Sequence, residues 1–284
     1  MSNEAGTHAE GVIGFYDRHP INEDEILAKL AARGVALDTL TEEQLKDFDQ
    51  DHYGGVDVVE ALAERAGIAA GHHVLDVCSG MGGPARWIAH RYGCRVTGLD
   101  FTASRVEAAR RLTRRVGLEE RVDFEHGDAT AMPLPDARFD VVISQEAWLH
   151  IPDKQAVIRE CARVVRPSGV IAFTDVIARA PLAADEAGRL AREMHAPRVA
   201  DQELYPRLLR EHGCIVESVE DLSRQWAEVL VARLAMYRSL RDTTVAKFGD
   251  AHFDAWDRTY AFFVGLFVAG RLGGTRIVAR RAAA

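Results

Sequence analysis

The sequence predicts an α/β fold, a doubly wound and mainly parallel sheet with helices on both faces. Three observations carry this. Short apolar runs at 74–78, 95–99, 122–125, 139–144, 170–174 and 215–219 alternate with helical patterns. The first run passes through Asp76-Val77-Cys78-Ser79-Gly80-Met81-Gly82-Gly83 into the helix-like Pro84-Ala85-Arg86-Trp87-Ile88-Ala89, the strand, tight turn and helix of a cofactor site. Finally, three successive strands lead to an aspartate: Asp76, Asp100 and, past the third run, Asp128.

Taken in order, residues 1–10 are small and polar and are expected to be disordered, as is the tail Ala282-Ala283-Ala284. A helical stretch at 22–33 and the turn start Thr41-Glu42-Glu43-Gln44 lead to Asp49-Gln50-Asp51-His52-Tyr53-Gly54-Gly55, so 1–54 reads as a tail and a cap or lid. The main domain then occupies 55–284. Its arginine-rich helix at 102–116, with Arg105, Arg110, Arg111, Arg114 and Arg115, reads as a solvated face. Insertions near 178–206 precede a helical segment at 223–272. There, Trp226, Leu230, Leu234, Tyr237 and Leu240, then Phe253, Trp256, Tyr260, Phe263 and Phe267, recur at helical spacing as core or as a homodimer contact. Gly273-Gly274 turns into a last strand at 275–279.

The acids say which ligand the glycine loop takes. A carboxylate fixed at the end of the first strand repels a dinucleotide pyrophosphate and attracts an ammonium group. Asp100, at the end of the second strand, is placed to accept hydrogen bonds from ribose hydroxyls. A nicotinamide-dependent oxidoreductase could use Gly80, Gly82 and Asp100, but it would leave Asp76 and Asp128 without a role.

With these motifs in order, the chain resembles the class I S-adenosylmethionine-dependent methyltransferases over roughly residues 55–220. The resemblance implies a seven-stranded Rossmann-like sheet with an antiparallel last strand, an N-terminal helical cap and helical insertions. It implies S-adenosyl-L-methionine as cofactor, with Asp76, Ser79, Gly80 and Gly82 beside its methionine part and Asp100 on the ribose. Asp128 would meet the adenine amine, with Phe101 and Ala129 flanking the ring, and Gln145 would lie near the cofactor. Cys78 departs from the family pattern, which often has glycine there. Arg166-Pro167-Ser168-Gly169 matches the family's turn into the fifth strand.

Composition narrows the partners. With 284 residues, 48% hydrophobic content and a net charge of -8, the chain is long enough for one large domain and too acidic for a broad nucleic-acid footprint. Cys78, Cys94, Cys161 and Cys214 match no metal or disulfide spacing, no secretory segment opens the chain, and a cytoplasmic location is expected. The longest apolar run, 261–269, falls short of the ~20 residues of a membrane helix, so no membrane partner is expected.

The loop after the fourth strand, Ser144-Gln145-Glu146-Ala147-Trp148-Leu149-His150-Ile151-Pro152-Asp153-Lys154, lies where the sheet topology puts the acceptor. Asp153 reads as a helix cap and Leu149 and Ile151 as packing. His150 is either a base for the acceptor or a hydrogen-bonded residue at the helix start. Gln145 is a positioning candidate. Trp148 and Tyr53 could stabilise a growing ammonium by cation–π contact or simply pack, and Glu146 could counter a cationic product or lie solvated. A carboxylated acceptor would need a cation, for which Arg179 and Arg198 are the candidates, and 181–206 would form much of its pocket.

This loop, with Glu160-Cys161-Ala162-Arg163-Val164 and Leu204-Tyr205-Pro206-Arg207-Leu208-Leu209, resembles the sarcosine, dimethylglycine and phosphoethanolamine N-methyltransferase branch. His52-Tyr53-Gly54-Gly55 is similar to the segment that closes over cofactor and acceptor in that group. The branch implies a small amine acceptor, with glycine betaine as one product. The alternatives are O- or C-methylation of an apolar or aromatic metabolite, if the C-terminal aromatics line the pocket, and a non-catalytic module that only binds the cofactor.

Overall fold

The computed structural model describes residues 2–17, 19 and 21–283. The cap is helical from its start: α1 (Ser2–Asp17), α2 (Glu23–Ala32), a 3-10 turn at Leu37–Thr39 and α3 (Glu42–Leu45). The expectation of disorder over 1–10 is thus corrected for the described residues, while Met1 and Ala284 lie outside them. Local rules had favoured a polar tail, but Phe15 and Tyr16 near the end of α1 find aromatic partners across the fold, including His150. For α2, the Asn22 side chain accepts from Glu25 N–H and three acids occupy the first turn, against the positive end of the helix dipole.

The main domain alternates strand and helix. In order come α4 (Val56–Arg65), β1 (His73–Val77), α5 (Gly83–Tyr92), β2 (Arg95–Asp100), α6 (Ala103–Arg115), β3 (Val122–His126) and β4 (Phe139–Gln145). A 3-10 turn (Trp148–His150) then leads to α7 (Lys154–Val164) and β5 (Val165–Ala178). Next are α8 (Ala184–Glu193), β6 (Ala200–Asp201), α9 (Leu204–Glu211), β7 (Cys214–Asp221), α10 (Ser223–Ser239), α11 (Arg241–Phe248), α12 (Asp250–Val268) and β8 (Leu272–Arg281). Seven strands run in the order β3-β2-β1-β4-β5-β8-β7, with β8 antiparallel to both neighbours. The eighth strand is the two-residue β6, added parallel to the end of β5. The expected turn at 166–169 is a bulge inside β5: Phe139 pairs with Val165 and Val141 with Val170, so four residues loop out between them.

Apolar residues on both sheet faces build two core clusters. One joins Leu75, Val142, Ile171 and Phe173 to α7 and α9, and the other joins Val74, Val96, Val141 and Ala172 to α4, α5 and α6. The aromatic stripes of α10 and α12 form a third cluster, in which Trp226, Leu230, Phe263 and Phe267 are buried against Leu149 and Val176. A fourth, with Ile26, Leu30, Leu45, Met81 and Leu112, seats the cap on α6 and the glycine loop.

The solvated reading of α6 holds for the exposed Arg111, Arg114 and Arg115 and needs correction at Arg105. That side chain is buried, donates to the Tyr16 carbonyl and lies 3.7 Å from Asp51. No helix among the described residues is long and apolar enough to cross a membrane.

Candidate active site

The strand ends make the floor of the site. Parallel register sets Asp76 beside Gly98, and Asp100 beside His126, at the carboxyl edge of the sheet. The chain then turns through Cys78 (φ 62°), Ser79, Gly80 (φ 54°) and Gly82 (φ 76°). A Cβ on Gly82 would stand 2.4 Å from the Phe124 ring, so backbone and packing both require glycine there. At Gly80 a Cβ would meet nothing within 4 Å, so that residue faces open space. The left-handed backbone at Cys78 gives the reason glycine suits this position, since a side chain there carries strain.

Asp100 fixes the loop by accepting from Gly80 N–H and Thr102 N–H, each at 2.8 Å. Asp76 is buried and its Oδ2 has no hydrogen-bond partner among the described residues, as is true of Ser79 Oγ and Gln145 Oε1. Burial, helped by the nearby Asp100, pushes the Asp76 carboxyl up to about 8. Such orphaned polar atoms beside an open glycine are what a donor-bearing ligand would satisfy. On the third strand's edge, exposed Asp128 accepts from the Thr130 N–H and hydroxyl, Ala129 is buried and Phe101 is 38% exposed.

On the acceptor side, Glu146 follows β4 in a left-handed conformation (φ 56°), its N–H donating to Thr174 O. Its Oε2 accepts from Tyr53 N–H at 2.7 Å, tying the cap to the sheet edge, and burial holds its carboxyl well above the usual range. The Tyr53 ring meets Trp226 edge-on at 5.1 Å, and the Arg233 guanidinium stands 5.3 Å from its centroid while donating to His52 O.

His150 lies at the junction with α1. Its Nδ1 is 3.1 Å from the His195 carbonyl, which can only accept, so the proton sits on Nδ1 and Nε2 presents a lone pair. The Tyr16 hydroxyl lies 3.1 Å from Nε2 and donates to it, and His8 Nε2 donates to the His150 carbonyl. Burial lowers the imidazole to about 4, so His150 is neutral near pH 7. Burial also raises the Tyr16 phenol, keeping it a donor. Beneath the turn, Asp175 accepts from Leu149 N–H and from the Tyr205 hydroxyl, and Asp153 caps α7 through Ala156 N–H, as expected.

The structure brings Tyr53, Glu146 and Gln145 to one edge and separates the other acceptor candidates. Trp148 is only 1% exposed, with Phe173 at 4.2 Å and Tyr205 at 5.9 Å; it takes the packing role rather than presenting an open face to a cation. Arg179 and Arg198 are exposed and line a separate hollow of about 640 Å³ with Leu182, Asp201 and Glu203, and Arg179 lies 3.5 Å from Asp221. Sequence reasoning missed Tyr16, Arg105 and Arg233. The only local signal was for Tyr16, where Val12, Ile13, Phe15 and Tyr16 give residues 11–17 an apolar character that a disordered tail lacks.

A family model described as a methyltransferase domain matches residues 75–173. Among curated relatives, the methyltransferase GfsG of Streptomyces halstedii is 36% identical over 60% of this chain and 63% of its own length. The 27-O-demethylrifamycin SV methyltransferase of Amycolatopsis mediterranei is 33% identical over 69% of this chain and 74% of its own. The glycine/sarcosine/dimethylglycine N-methyltransferase of Actinopolyspora halophila is 32% identical over 67% of this chain and 34% of its own. The chain thus spans under two thirds of the first and about a third of the last. A solved structure from Galdieria sulphuraria, described as a putative sarcosine dimethylglycine methyltransferase, superposes with a TM-score of 0.75 at 19% identity, covering 92% of this chain and 99% of that one. Sheet order, glycine loop and relatives agree, and the chain belongs to the S-adenosylmethionine-dependent methyltransferase family.

Proposed function

We propose that this protein transfers a methyl group from S-adenosylmethionine to a small amine of the sarcosine or dimethylglycine type. The cofactor reading rests on Asp76, whose orphaned Oδ2 beside the open face of Gly80 fits a ligand ammonium. Asp100, Phe101, Asp128 and Ala129 would hold its nucleoside part, with Ser79, Gly82 and Gln145 completing the cradle. When bound, the cofactor would supply the methyl group from a positively charged sulfur and keep the S–C electron pair on sulfur, and the acceptor nitrogen would supply the electron pair of the new N–C bond. Positive charge therefore moves to the nitrogen.

The observation that carries the acceptor class is Glu146, a half-buried carboxyl group just past the tip of β4, next to Gln145. A cation formed beside it favours the ionised carboxylate, so the pair stabilises product-like charge in a site shielded from water. The cap supplies the shielding: Tyr53 N–H ties it to Glu146 and Tyr16 ties α1 to His150. A second reading, O-methylation of a larger metabolite, is favoured by the rifamycin relative, whose name places its methyl on oxygen. Against a broad apolar acceptor stands the burial of Trp226, Phe263 and Phe267 in the core.

Two results are expected. At pH 7 Asp76 is mostly protonated in the free protein, because its carboxyl titrates near 8. An ammonium group lowers that value, so binding S-adenosylhomocysteine releases on the order of half to one proton. Calorimetry in buffers of different ionisation enthalpy measures this; Asp76→Asn abolishes the release, and a binding heat independent of buffer contradicts the role.

Exchanging His150, whose ring nitrogens are taken by the His195 carbonyl and the Tyr16 hydroxyl, for Gln loosens the closure of α1 over the site and lowers kcat/KM for the amine by on the order of tenfold while cofactor affinity changes little. Tyr16→Phe, which removes only the hydroxyl donated to Nε2, lowers it less. Equal losses in transfer and cofactor binding would make His150 purely structural. Because the imidazole titrates near 4, no loss of activity between pH 8 and 6 is assigned to it.

A further inference from the structure

Lys154 is the first residue of α7, where the helix dipole disfavours a cation and no acid stands in the first turn. It is nevertheless buried, at 3% exposure, and lysine is seldom buried unless its charge is met. What meets it is the turn that carries His150. The ammonium donates to the Trp148 carbonyl and, at 2.7 Å, to the Ile151 carbonyl, the two residues that bracket Leu149 and His150. Asp175, itself bound by the Tyr205 hydroxyl of α9, holds the Leu149 N–H of the same turn. Two contacts of α1 end there as well: the Tyr16 hydroxyl on His150 Nε2 and His8 on the His150 carbonyl.

The charged and titratable groups that face Lys154 are Asp175 from β5, Arg198 from the segment before β6, Cys78 from the loop after β1 and His150 from the turn itself. Burial, with Arg198 adding to it, pushes the Lys154 amine down to about 8, against the pull of Asp175. Burial raises the Asp175 carboxyl, and the Lys154 charge opposes that rise. The Cys78 thiol is held well above its usual range and His150 is neutral, so neither changes charge together with Lys154. An ammonium donates charge-assisted hydrogen bonds, roughly twice as strong as those of a neutral amine. We propose that charged Lys154 is a positioning residue: it sets the turn so that His150 receives α1, and in alkaline solution its proton leaves to solvent and the cap loosens from the site. In its effect on transfer this rests on the amine reading above; in its effect on the cap it does not. Lys154 takes no part in bond making.

The test is hydrogen exchange of α1, read by mass spectrometry on the full chain and divided by the exchange of an unstructured peptide at the same pH. At pH 7, Lys154→Met raises α1 exchange about tenfold over wild type, while amides of β1 and β4 stay protected. At about pH 9.5 the wild type exchanges nearly as fast as the variant, and Lys154→Arg, which keeps its charge, stays protected. Equal α1 exchange in wild type and Lys154→Met at pH 7 overturns the proposal. If Lys154→Met unprotects the strands too, the other two proteins decide: alkaline release of α1 in wild type but not in Lys154→Arg supports the proposal, and release in both or in neither overturns it. In the transfer assay, the ratio of kcat/KM for wild type over Lys154→Met falls from about tenfold at pH 7 toward one at about pH 9.5, because titration of Asp76 and of the acceptor is common to both proteins and cancels. A ratio constant with pH overturns the proposal. Exchange of α1 that follows Lys154 while every amine stays unlabelled overturns the amine reading and leaves this one standing.

Discussion

An Asp100→Ala variant binds S-adenosylhomocysteine about 10- to 150-fold more weakly than the wild type, a loss of roughly 1.5–3 kcal/mol. Two losses add. On the proposed reading the carboxylate accepts from ribose hydroxyls, contacts that are charge-assisted and shielded by the cap. Asp100 also accepts from Gly80 N–H and Thr102 N–H, so its removal loosens the loop that faces the ligand. Asp100→Asn separates the two, because an amide oxygen can keep one loop contact while the charge is lost. We expect its affinity to lie between those of Ala and wild type. Calorimetry gives the affinities and a thermal scan reports any change in fold, and an unchanged affinity in the Ala variant contradicts the ribose assignment.

The largest stability effect is expected at Arg86. This side chain on α5 is fully buried and donates to Met81 O at 2.7 Å, to Thr113 Oγ1 at 3.2 Å and to Asp49 Oδ2 at 2.7 Å. Glu42 Oε2 lies 3.5 Å from its Nε. One cation thus joins the cap, the glycine loop and α6. Burial pushes both Glu42 and Asp49 up while Arg86 pulls both down, and the guanidinium acts most directly on Asp49, to which it donates.

Arg86→Met removes the cation and leaves buried Asp49 with no charge partner and only the Gln50 amide donating to it, which costs about 3–5 kcal/mol. The sign with pH follows. In the variant, burial raises the folded-state value of both carboxyls above the unfolded one, so protonation favours the folded state. The deficit is then smallest near pH 4 and grows as pH rises. Urea unfolding at several pH values measures it, and a loss below about 1 kcal/mol at pH 7 would contradict the pairing. Because Met81 lies in the glycine loop, cofactor affinity should fall as well.

These two residues show what a single chain discloses and what it hides. Asp100 was legible because its role depends on local facts: a short apolar strand, an acid at its end, and a sheet topology that turns strand ends toward one crevice. The cap at Asp153 was legible for similar reasons, and the antiparallel direction of the last strand only through the family resemblance. Arg86 reads in sequence as one more polar helix residue, and only a fold that carries Asp49 across 37 positions gives it a partner. The same holds for Arg105, which composition assigns to solvent and Tyr16 O and Asp51 draw inside. His150 was found, but its partner Tyr16 lies 134 positions away in a segment read as tail and cap. Arg179 and Arg198 were chosen for their proximity in sequence to the fifth strand. Arg233 approaches from a helix that strand-based reasoning never reaches.

Methyl transfer to a small amine is tested most directly by a radiolabelled-methyl assay on the wild-type chain with S-adenosylmethionine and a panel of amines, carboxylated amines, phenols and isoprenoids. Label is expected on sarcosine or dimethylglycine in preference to the phenols and isoprenoids. Label confined to a phenol or an isoprenoid, with every amine unlabelled, would contradict it.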